Sequence, residues 1–241
     1  KWAGGKSQLL HELTKRLPKK YNVYFEPFIG GGALYFAISP TEAVIADIND
    51  DLVNVYNVVR DMPSELIEAL SHYINDKDFY YEVRSRDQHE LSDVDRAARL
   101  IYLNRTCFNG LYRVNKNGQF NVPFANYKNP NIVQSEKILA ASEILQGTDI
   151  YHAGFEKVLV NAKAGDFIYL DPPYYPKDVY SDFKRYNKEQ FHKNDHERLA
   201  ELYNELDERG CFVMLSNSDT PFTRELYKKW RVDTVYAKRL I

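Results

Sequence analysis

The stretch "NVYFEPFIGGGALYFAIS", residues 22–39, has the pattern that decides the fold. Its apolar run Val23–Phe25 predicts a short strand that Pro27 ends, because proline cannot donate a ladder hydrogen bond. A glycine turn follows and leads into a short helix. The next stretches, "EAVIADIND" (42–50) and "DDLVNVYNVVR" (50–60), predict a buried strand that ends at an acid and then a helix. This succession predicts the start of a doubly wound α/β sheet.

The rest of the chain divides into a mainly helical part and a return to strands. Residues 61–146 show helical spacing, and strands resume in three later stretches: "TDIYHAGF" (148–155), "DFIYLDPP" (166–173) and "CFVMLSNS" (211–218). The sequence therefore predicts a core formed by residues 1–60 plus 147–241, and an inserted domain formed by residues 61–146. Insertions on α/β sheets commonly carry recognition, whereas strand ends carry the chemistry.

Local signals mark one hairpin and several helix ends. In "GLYRVNKNGQFNVPF" (110–124), the pair Asn117-Gly118 between alternating runs predicts a β-hairpin with a two-residue turn. Ser92 with Asp95 three residues later approximates a capping box at a helix start. Gly210 is placed as a glycine that ends a long helix.

Positive charge is concentrated in the predicted insertion. The window from residue 96 to 135 contains no Asp or Glu but six cations: Arg96, Arg99, Arg105, Arg113, Lys116 and Lys128. Because the net charge is -2, the rest of the chain carries -8. Such segregation is expected for a protein that binds a polyanion. The alternative is that these cations form an ordinary solvated face.

Composition limits the class of protein. A chain of 241 residues with 44% hydrophobic content can bury a sizeable core, and no apolar run approaches the roughly 20 residues that span a membrane. The two cysteines, Cys107 and Cys211, are too few for a disulfide framework, which favours a reduced, cytoplasmic protein. The six histidines form no HExxH pattern, so we expect no metal.

The glycine turn predicts a cofactor site. The segment Glu26 to Gly32, with Phe28, Gly30 and Gly32, lies just beyond a strand, and Asp47 ends the next strand. A carboxylate there can accept the ribose hydroxyls of an adenosine cofactor. The dinucleotide fingerprint is incomplete, whereas S-adenosylmethionine has no pyrophosphate to bind. The alternative is an ordinary tight turn beside an exposed acid.

The N-terminal "AGGKS" (3–7) resembles the tail of a phosphate-binding loop. That motif needs an earlier glycine and a strand leading into it, and neither is present, so an NTPase is rejected. Trp2 and Lys6 can instead cover a bound nucleoside and pair with a carboxylate.

The stretch "FIYLDPPYYP", residues 167–176, predicts the chemistry. Asp171 follows a buried strand at the end where α/β sheets bind ligands. Pro172 and Pro173 fix the backbone and leave their carbonyls as acceptors, so a carboxylate and a carbonyl can bind the two hydrogens of one amino group. Tyr174 offers a flat face against which a base can stack. The alternative is a turn with a capping acid.

Five blocks occur in the order "KWAGGK", "FEPFIGGG", "ADIN", "NRTCFNGLYRVNKNGQFNVPF" and "DPPY". In this order they resemble the Dam family of DNA adenine-N6 methyltransferases, class alpha enzymes, over nearly the whole chain. The resemblance implies a Rossmann-like, S-adenosylmethionine-dependent core with an inserted target-recognition domain. It implies methyl transfer to adenine N6 in duplex DNA, within GATC, with the base flipped out of the helix.

The resemblance also implies roles for individual residues. Trp2, Lys6, Asp47 and Asp171 match cofactor-contacting positions, and Asp171, Pro172 and Tyr174 match the catalytic motif. Arg113 matches an arginine that reads a guanine, a task suited to its forked donors. Further positions match residues that intercalate or contact bases: Phe108, where a tyrosine is common, Asn109, Leu111, Pro123 and Tyr127.

Independently of the resemblance, the hairpin has the residues of a DNA reader. Arg113 and Lys116 can enter a groove, and three further cations can hold phosphates, which position the protein without specifying sequence: Arg99, Arg105 and Lys128.

We therefore expect a DNA adenine methyltransferase that releases S-adenosylhomocysteine, acts as a monomer on double-stranded DNA and is not membrane-bound. Its role would lie in restriction–modification or in DNA replication or repair. Two alternatives remain open at this point: an RNA or protein-glutamine N-methyltransferase, and a DNA-binding regulator that has lost turnover.

Overall fold

A computed structural model describes residue 6, residues 8–176 and residues 191–236. Within these ranges the chain forms one sheet of five parallel strands. The strands are β1 (Tyr24–Glu26), β2 (Ala43–Asp47), β3 (Thr148–His152), β4 (Phe167–Leu170) and β5 (Phe212–Leu215).

The strand order is β3-β2-β1-β4-β5, so the chain winds outward from β1 in one direction and from β4 in the other. This order confirms the predicted doubly wound α/β sheet, and it places a topological switch point between β1 and β4. The first strand begins one residue later than predicted. The reason is that the Val23 N–H donates to the Asp166 carboxylate, at 3.1 Å, rather than to a neighbouring strand.

Ten helices surround the sheet in the described part of the chain. They are α1 (Leu10–Thr14), α2 (Ala33–Ile38), α3 (Asp50–Asp61), α4 (Pro63–Ser71), α5 (Lys77–Ser85), α6 (Asp93–Thr106), α7 (Ser135–Leu145), α8 (Phe155–Leu159), α9 (Lys193–Glu208) and α10 (Pro221–Leu226), with 3₁₀ turns at Gln88–Glu90 and Phe108–Gly110. No helix among them combines the length and apolar character needed to cross a bilayer.

The predicted helix ends are present. The Ser92 hydroxyl accepts from the Asp95 N–H at 3.1 Å at the start of α6. Gly210 follows the C-cap of α9 with a φ of 83°, a left-handed conformation that glycine adopts without a side-chain penalty.

Alternation along the strands separates two hydrophobic layers. One face of the sheet buries Tyr24, Ile45, Phe167 and Tyr169 against the helices α2 to α4, α6 and α7. The opposite face buries Phe25, Ala46, Ile168 and Leu170 against α8 and α9. Since both faces are covered, the central strands β1, β2 and β4 are mainly apolar, whereas the edge strand β3 carries exposed polar residues.

The segment between β2 and β3 is mainly helical, and its helices α6 and α7 pack against α3. A third apolar cluster lies wholly within this segment and joins α5 and α6 to the hairpin through Tyr80, Tyr102, Phe120 and Val122.

The hairpin has a three-residue turn, so the prediction of a two-residue turn is wrong. The Asn115 N–H donates to the Gln119 carbonyl at 2.8 Å, which leaves residues 116–118 in the loop. The Asn115 side-chain oxygen accepts from the N–H groups of Asn117 and Gln119, and Gly118 takes the left-handed position with a φ of 77°. The asparagine side chain thus selects a turn with a bulge over the tighter turn.

Candidate active site

The ends of β1 and β4 place two acids side by side. Phe25 lies opposite Ile168 in the parallel register, so Glu26 and Asp171 both follow at the same edge of the sheet. Glu26 is buried and accepts the Tyr24 hydroxyl at 2.6 Å. Asp171 lies directly after β4, at the switch point where open α/β sheets bind ligands.

Lys6 closes over the Asp171 carboxylate. Its Nζ lies 2.6 Å from Asp171 Oδ2 and 4.6 Å from the centroid of the Tyr174 ring. The other carboxylate oxygen, Oδ1, is buried and has no hydrogen-bond partner among the described residues. Asp171 Oδ2 therefore accepts from the Lys6 ammonium, and Oδ1 is the acceptor that a ligand can use.

Burial controls the charge of both acids. Desolvation raises the pKa of Asp171 to about 6, even though the Lys6 ammonium lowers it. Desolvation also raises the pKa of Glu26 to about 8; the Tyr24 hydroxyl opposes this rise and the Asp171 charge adds to it. At neutral pH Asp171 is therefore ionised while Glu26 is mainly protonated, which avoids two adjacent buried negative charges.

The turn after Asp171 has one buried and one exposed proline. Pro172 is buried, whereas Pro173 and the Tyr174 ring are exposed. Burial and the Asp171 charge both raise the pKa of the Tyr174 hydroxyl, so this side chain is neutral.

The glycine turn is fastened to the end of β2. Asp47 accepts from the Gly30 N–H at 3.0 Å and from the Asn49 N–H at 2.9 Å. Gly32 precedes α2 with a φ of 61°, and a Cβ on it would lie 2.8 Å from the Tyr56 hydroxyl. Any larger residue there would be strained and would collide with Tyr56, so this turn requires glycine.

Two residues beside the turn have surroundings that sequence alone did not reveal. Phe28, predicted to contact a cofactor, stacks on Phe155 at 5.5 Å and meets Phe191 edge-on, so part of it belongs to the core. Ile48, which was not predicted to contact a cofactor, is 63% exposed directly after Asp47. The sequence signal that could have identified it is an isoleucine placed directly after the last residue of a strand.

The structure brings together the residues predicted to contact bases. The Phe108 N–H donates to the Pro123 carbonyl at 2.9 Å, and the Asn109 N–H donates to the Tyr127 hydroxyl at 3.2 Å. The Leu111 N–H donates to the Phe108 carbonyl at 3.3 Å. Phe108 is 53% exposed, with Leu111 and Tyr127 also exposed around it. These five residues form one surface, mainly apolar apart from Asn109, which we call the wedge surface.

Arg113 extends from the adjoining hairpin with its guanidinium oriented. Its Nε donates to Asn121 Oδ1 at 2.6 Å and its Nη2 donates to the Asn121 carbonyl at 2.9 Å. Lys116 lies exposed in the hairpin turn. The hairpin therefore presents one pre-oriented arginine and one lysine to solvent.

Two of the six clustered cations serve the fold instead. Arg99 is 4% exposed and donates to the carbonyls of Val83 and Arg84 at 3.0 and 2.9 Å, at the end of α5. The prediction that Arg99 holds a phosphate is therefore wrong. Arg96 is paired with Asp50 and Asp51.

The other two cations predicted to hold phosphates differ in their exposure. Arg105 is half-buried and donates to Gln134 Oε1 at 2.7 Å, whereas Lys128 is exposed. Trp2 lies outside the described residues. Within the described ranges, no cluster of His, Cys, Asp and Glu forms a metal-binding group.

Comparison with known proteins decides the family. The family model for D12 class N6 adenine-specific DNA methyltransferases matches residues 2–241. The chain belongs to this family. The methyltransferase is 47% identical to the Type II methyltransferase M1.LlaDCHI of Lactococcus lactis subsp. cremoris, over 99% of this chain and 87% of that protein.

Two further relatives also match along the full length of the methyltransferase. Identity is 41% to the Type II methyltransferase M.MjaIII of Methanocaldococcus jannaschii, over 100% of this chain and 91% of that protein. Identity is 34% to the DNA adenine methylase of Escherichia coli K12, over 100% of this chain and 87% of that protein. The enzyme is thus an adenine-specific DNA methyltransferase, of a family that uses S-adenosylmethionine and acts on DNA.

The raised pKa of Asp171, to about 6, predicts an acid limb in the pH–rate profile. The ionised Asp171 is a stronger acceptor for the amine than the protonated acid and can take up the proton released after methylation, so kcat/KM should fall as the pH drops through about 6 and should be full well above it. Rates of methyl transfer to a DNA duplex between pH 5 and 8 test this. An Asp171→Asn variant, whose residual activity cannot titrate there, should lack the limb; an unchanged limb would assign it to another group.

The buried position of Arg99 predicts a stability defect rather than a DNA-binding defect. Arg99→Ala leaves two carbonyls at the end of α5 without their donor, and we expect a loss of about 2–4 kcal/mol in the free energy of unfolding. Urea unfolding measures this loss. Lys128→Ala, the matched exposed cation, should leave stability nearly unchanged while weakening DNA binding. A DNA-binding defect in a stable Arg99→Ala protein would contradict the structural role.

Proposed function

We propose that this methyltransferase modifies the N6 of adenine within GATC in duplex DNA, at the Asp171 carboxylate, with the target base flipped out of the helix. The observation that supports this most strongly is the Lys6–Asp171–Tyr174 arrangement at the end of β4. It combines a charged acceptor, a second buried oxygen that has no partner in the described part of the chain, and an exposed aromatic ring at the sheet's switch point.

The residues present fit S-adenosylmethionine. Gly30 and Gly32 both have left-handed backbone, so the turn is built on glycine; Asp47 ends the neighbouring strand, and the exposed Ile48 offers apolar contact. We propose that the cofactor is held by Lys6, Glu26, Phe28, Gly30, Gly32, Asp47 and Asp171, together with Trp2. When bound, S-adenosylmethionine supplies an already activated methyl group, so positioning contributes much of the catalysis.

Asp171 would orient the target amine. In the present arrangement the Lys6 ammonium donates to Oδ2, as an amino group of a base would do. The Pro172 carbonyl supplies the second acceptor, and the Tyr174 ring stacks against the base. Two acceptors on one amine favour a pyramidal nitrogen, whose lone pair is then directed away from the ring. After methylation the nitrogen releases one proton, which the nearby carboxylate can accept.

The depth of the site supports the proposal of base flipping. The Asp171 side chain is only 16% exposed, so an amine inside a stacked duplex could not reach it. We propose that the wedge surface, with Phe108 most exposed, fills the place of the extruded base, and that Asn109, Leu111, Pro123 and Tyr127 contact its neighbours. Apolar wedges at a base step are a known means of unstacking DNA.

We further propose that residues 61–146 form the target-recognition domain on a catalytic core of residues 1–60 plus 147–241, with α4, α6 and α7 of this range also covering one face of the sheet. The hairpin with Arg113 and Lys116 would read the groove, while Arg105 and Lys128 would hold phosphates. Identity is higher to the two Type II methyltransferases than to the DNA adenine methylase, which favours a role in restriction–modification.

A methyl-transfer assay tests the proposed function. The wild-type enzyme is incubated with tritiated S-adenosylmethionine and a duplex containing one GATC, or a matched duplex in which GATC is changed to GTAC. We expect label in the first duplex, recovered after digestion as N6-methyl-2′-deoxyadenosine, and little in the second. Equal labelling of both would contradict GATC specificity. Label in RNA or protein only would instead support an RNA or protein methyltransferase. If calorimetry shows no binding of S-adenosylmethionine, the result would support a DNA-binding regulator that has lost turnover.

A further inference from the structure

The residues after β5 make a second set of contacts to the turn that follows Asp171. The Ser216 N–H donates to the Leu170 carbonyl at 2.9 Å, so the two chain segments leave the sheet side by side. Beyond this point the Asn217 Oδ1 accepts from the Tyr175 N–H at 3.0 Å and from the Ser218 N–H at 2.8 Å. Asn217 therefore fastens the far end of the turn that Asp171 begins.

The orientation of the Asn217 amide is fixed by its partners. Since its oxygen takes two backbone N–H groups, its nitrogen faces His196, where Nδ2 lies 3.4 Å from the ring Nδ1. His196 is 0% exposed, and burial lowers its pKa to about 4, so the ring is neutral and its Nδ1 accepts. Phe191 and Tyr175 hold the ring edge-on, at centroid distances of 4.7 and 5.5 Å.

The turn needs such a support on its C-terminal side. Proline fixes φ at Pro172 and Pro173 but leaves the following residues free to move. Tyr174 is 38% exposed, with the Lys6 ammonium 4.6 Å from its ring centroid. The Ser216 hydroxyl lies 2.9 Å from the Tyr169 hydroxyl and also hydrogen-bonds the Tyr174 side chain, so it supports the strand end and Tyr174 but not Tyr175.

We propose that Asn217 is a positioning residue for methyl transfer, held by His196 and acting through the Tyr175 backbone on the placement of Pro172 and Tyr174. The proposal rests on the proposed function, which gives this turn the task of binding the target amine. A displacement of the turn by about 1 Å is enough to slow a reaction that depends on alignment by about 100-fold.

The first test compares Asn217→Ala with the wild-type enzyme in steady-state turnover at saturating duplex DNA and S-adenosylmethionine. We expect kcat to fall by about 10- to 100-fold, with the dissociation constant for S-adenosylmethionine changed by less than about threefold. Asn204→Ala is the matched control, because Asn204 is an α9 asparagine whose side chain bonds Glu208 and Lys229 instead. That variant should keep wild-type kcat.

The second test uses a conservative replacement. In Asn217→Asp a carboxylate oxygen can accept the same two N–H groups, and the neutral His196 ring can move its proton to Nδ1 and donate to the other oxygen. We expect this variant to recover at least about a third of wild-type kcat. Adding His196→Phe removes that donor and leaves a partly buried carboxylate oxygen unpaired, so the double variant should be as slow as Asn217→Ala.

The outcomes separate this proposal from the proposed function. No methylation by the wild-type enzyme would contradict the proposed function itself. With an active wild-type enzyme, wild-type kcat in Asn217→Ala, or an equal loss of kcat and cofactor affinity, would overturn the positioning role. An Asn217→Asp variant as slow as Asn217→Ala would overturn it too. Should Asn217→Ala not fold, Asn217→Asp with and without His196→Phe decides.

Discussion

Asp171→Ala is expected to reduce methyl transfer at least about 1000-fold while leaving DNA binding within about threefold of the wild-type enzyme. The carboxylate is the charged acceptor at the end of β4, and its buried Oδ1 has no other partner among the described residues. Alanine removes both acceptor oxygens, so the target amine would be neither oriented nor relieved of its proton. DNA affinity depends chiefly on cations elsewhere, so it should change little.

Two matched variants show which property of Asp171 matters. Asp171→Asn keeps one acceptor oxygen but loses the charge, and we expect a smaller loss of about 10- to 100-fold. Asp149→Ala removes an exposed acid of β3, on the other side of β2 and β1, and should leave the rate unchanged. Single-turnover rates with a GATC duplex measure all three. Substantial activity in Asp171→Ala would remove this residue from the reaction.

Arg113→Ala is expected to relax sequence preference at one guanine by about 1–3 kcal/mol, which is roughly 5- to 150-fold in the ratio of kcat/KM values. Asn121 holds the guanidinium through two hydrogen bonds and so orients the group before DNA arrives. The forked donors of arginine match the two acceptors of a guanine edge. Duplexes in which single positions of GATC are replaced measure the loss position by position.

The contrast with neighbouring variants makes the Arg113 test specific. Arg113→Lys keeps the charge but not the fork, so it should lose nearly as much discrimination as alanine. Lys116 lies in the turn of the same hairpin. Lys116→Ala should weaken binding to all DNA sequences alike and should reduce the slope of log K against log salt concentration by about one. If Arg113→Ala keeps full preference at every position, the hairpin does not read the guanine.

The parts of the fold that were predicted from sequence depend on short-range patterns. The central strands β1, β2 and β4 are mainly apolar and end at an acid or turn residue, as a parallel sheet covered on both faces requires. Acids at the ends of β1, β2 and β4 then meet at one edge, because parallel strands end together. The Asp171 turn was therefore placed correctly from its position after a buried strand.

Other features depended on contacts that composition does not reveal. Arg99 was treated as exposed because it is charged, but it lies on the same face of α6 as the buried residues Tyr102 and Leu103. Their three- and four-residue spacing was the available signal. The hairpin turn was decided by the Asn115 side chain, which competes with the backbone preference of Asn117-Gly118. Asn217 was not identified, because its role requires knowing that β5 lies beside β4.

The most direct test is the mapping of methylated bases in the DNA of cells that lack other adenine methylation and express either the wild-type enzyme or Asp171→Ala. If Asp171 orients the amine of a flipped adenine, the wild-type strain should carry N6-methyladenine at GATC sites throughout its DNA. The strain with Asp171→Ala should carry none above background. Methylation of another base, or the same adenine pattern in both strains, would contradict the role given to this carboxylate.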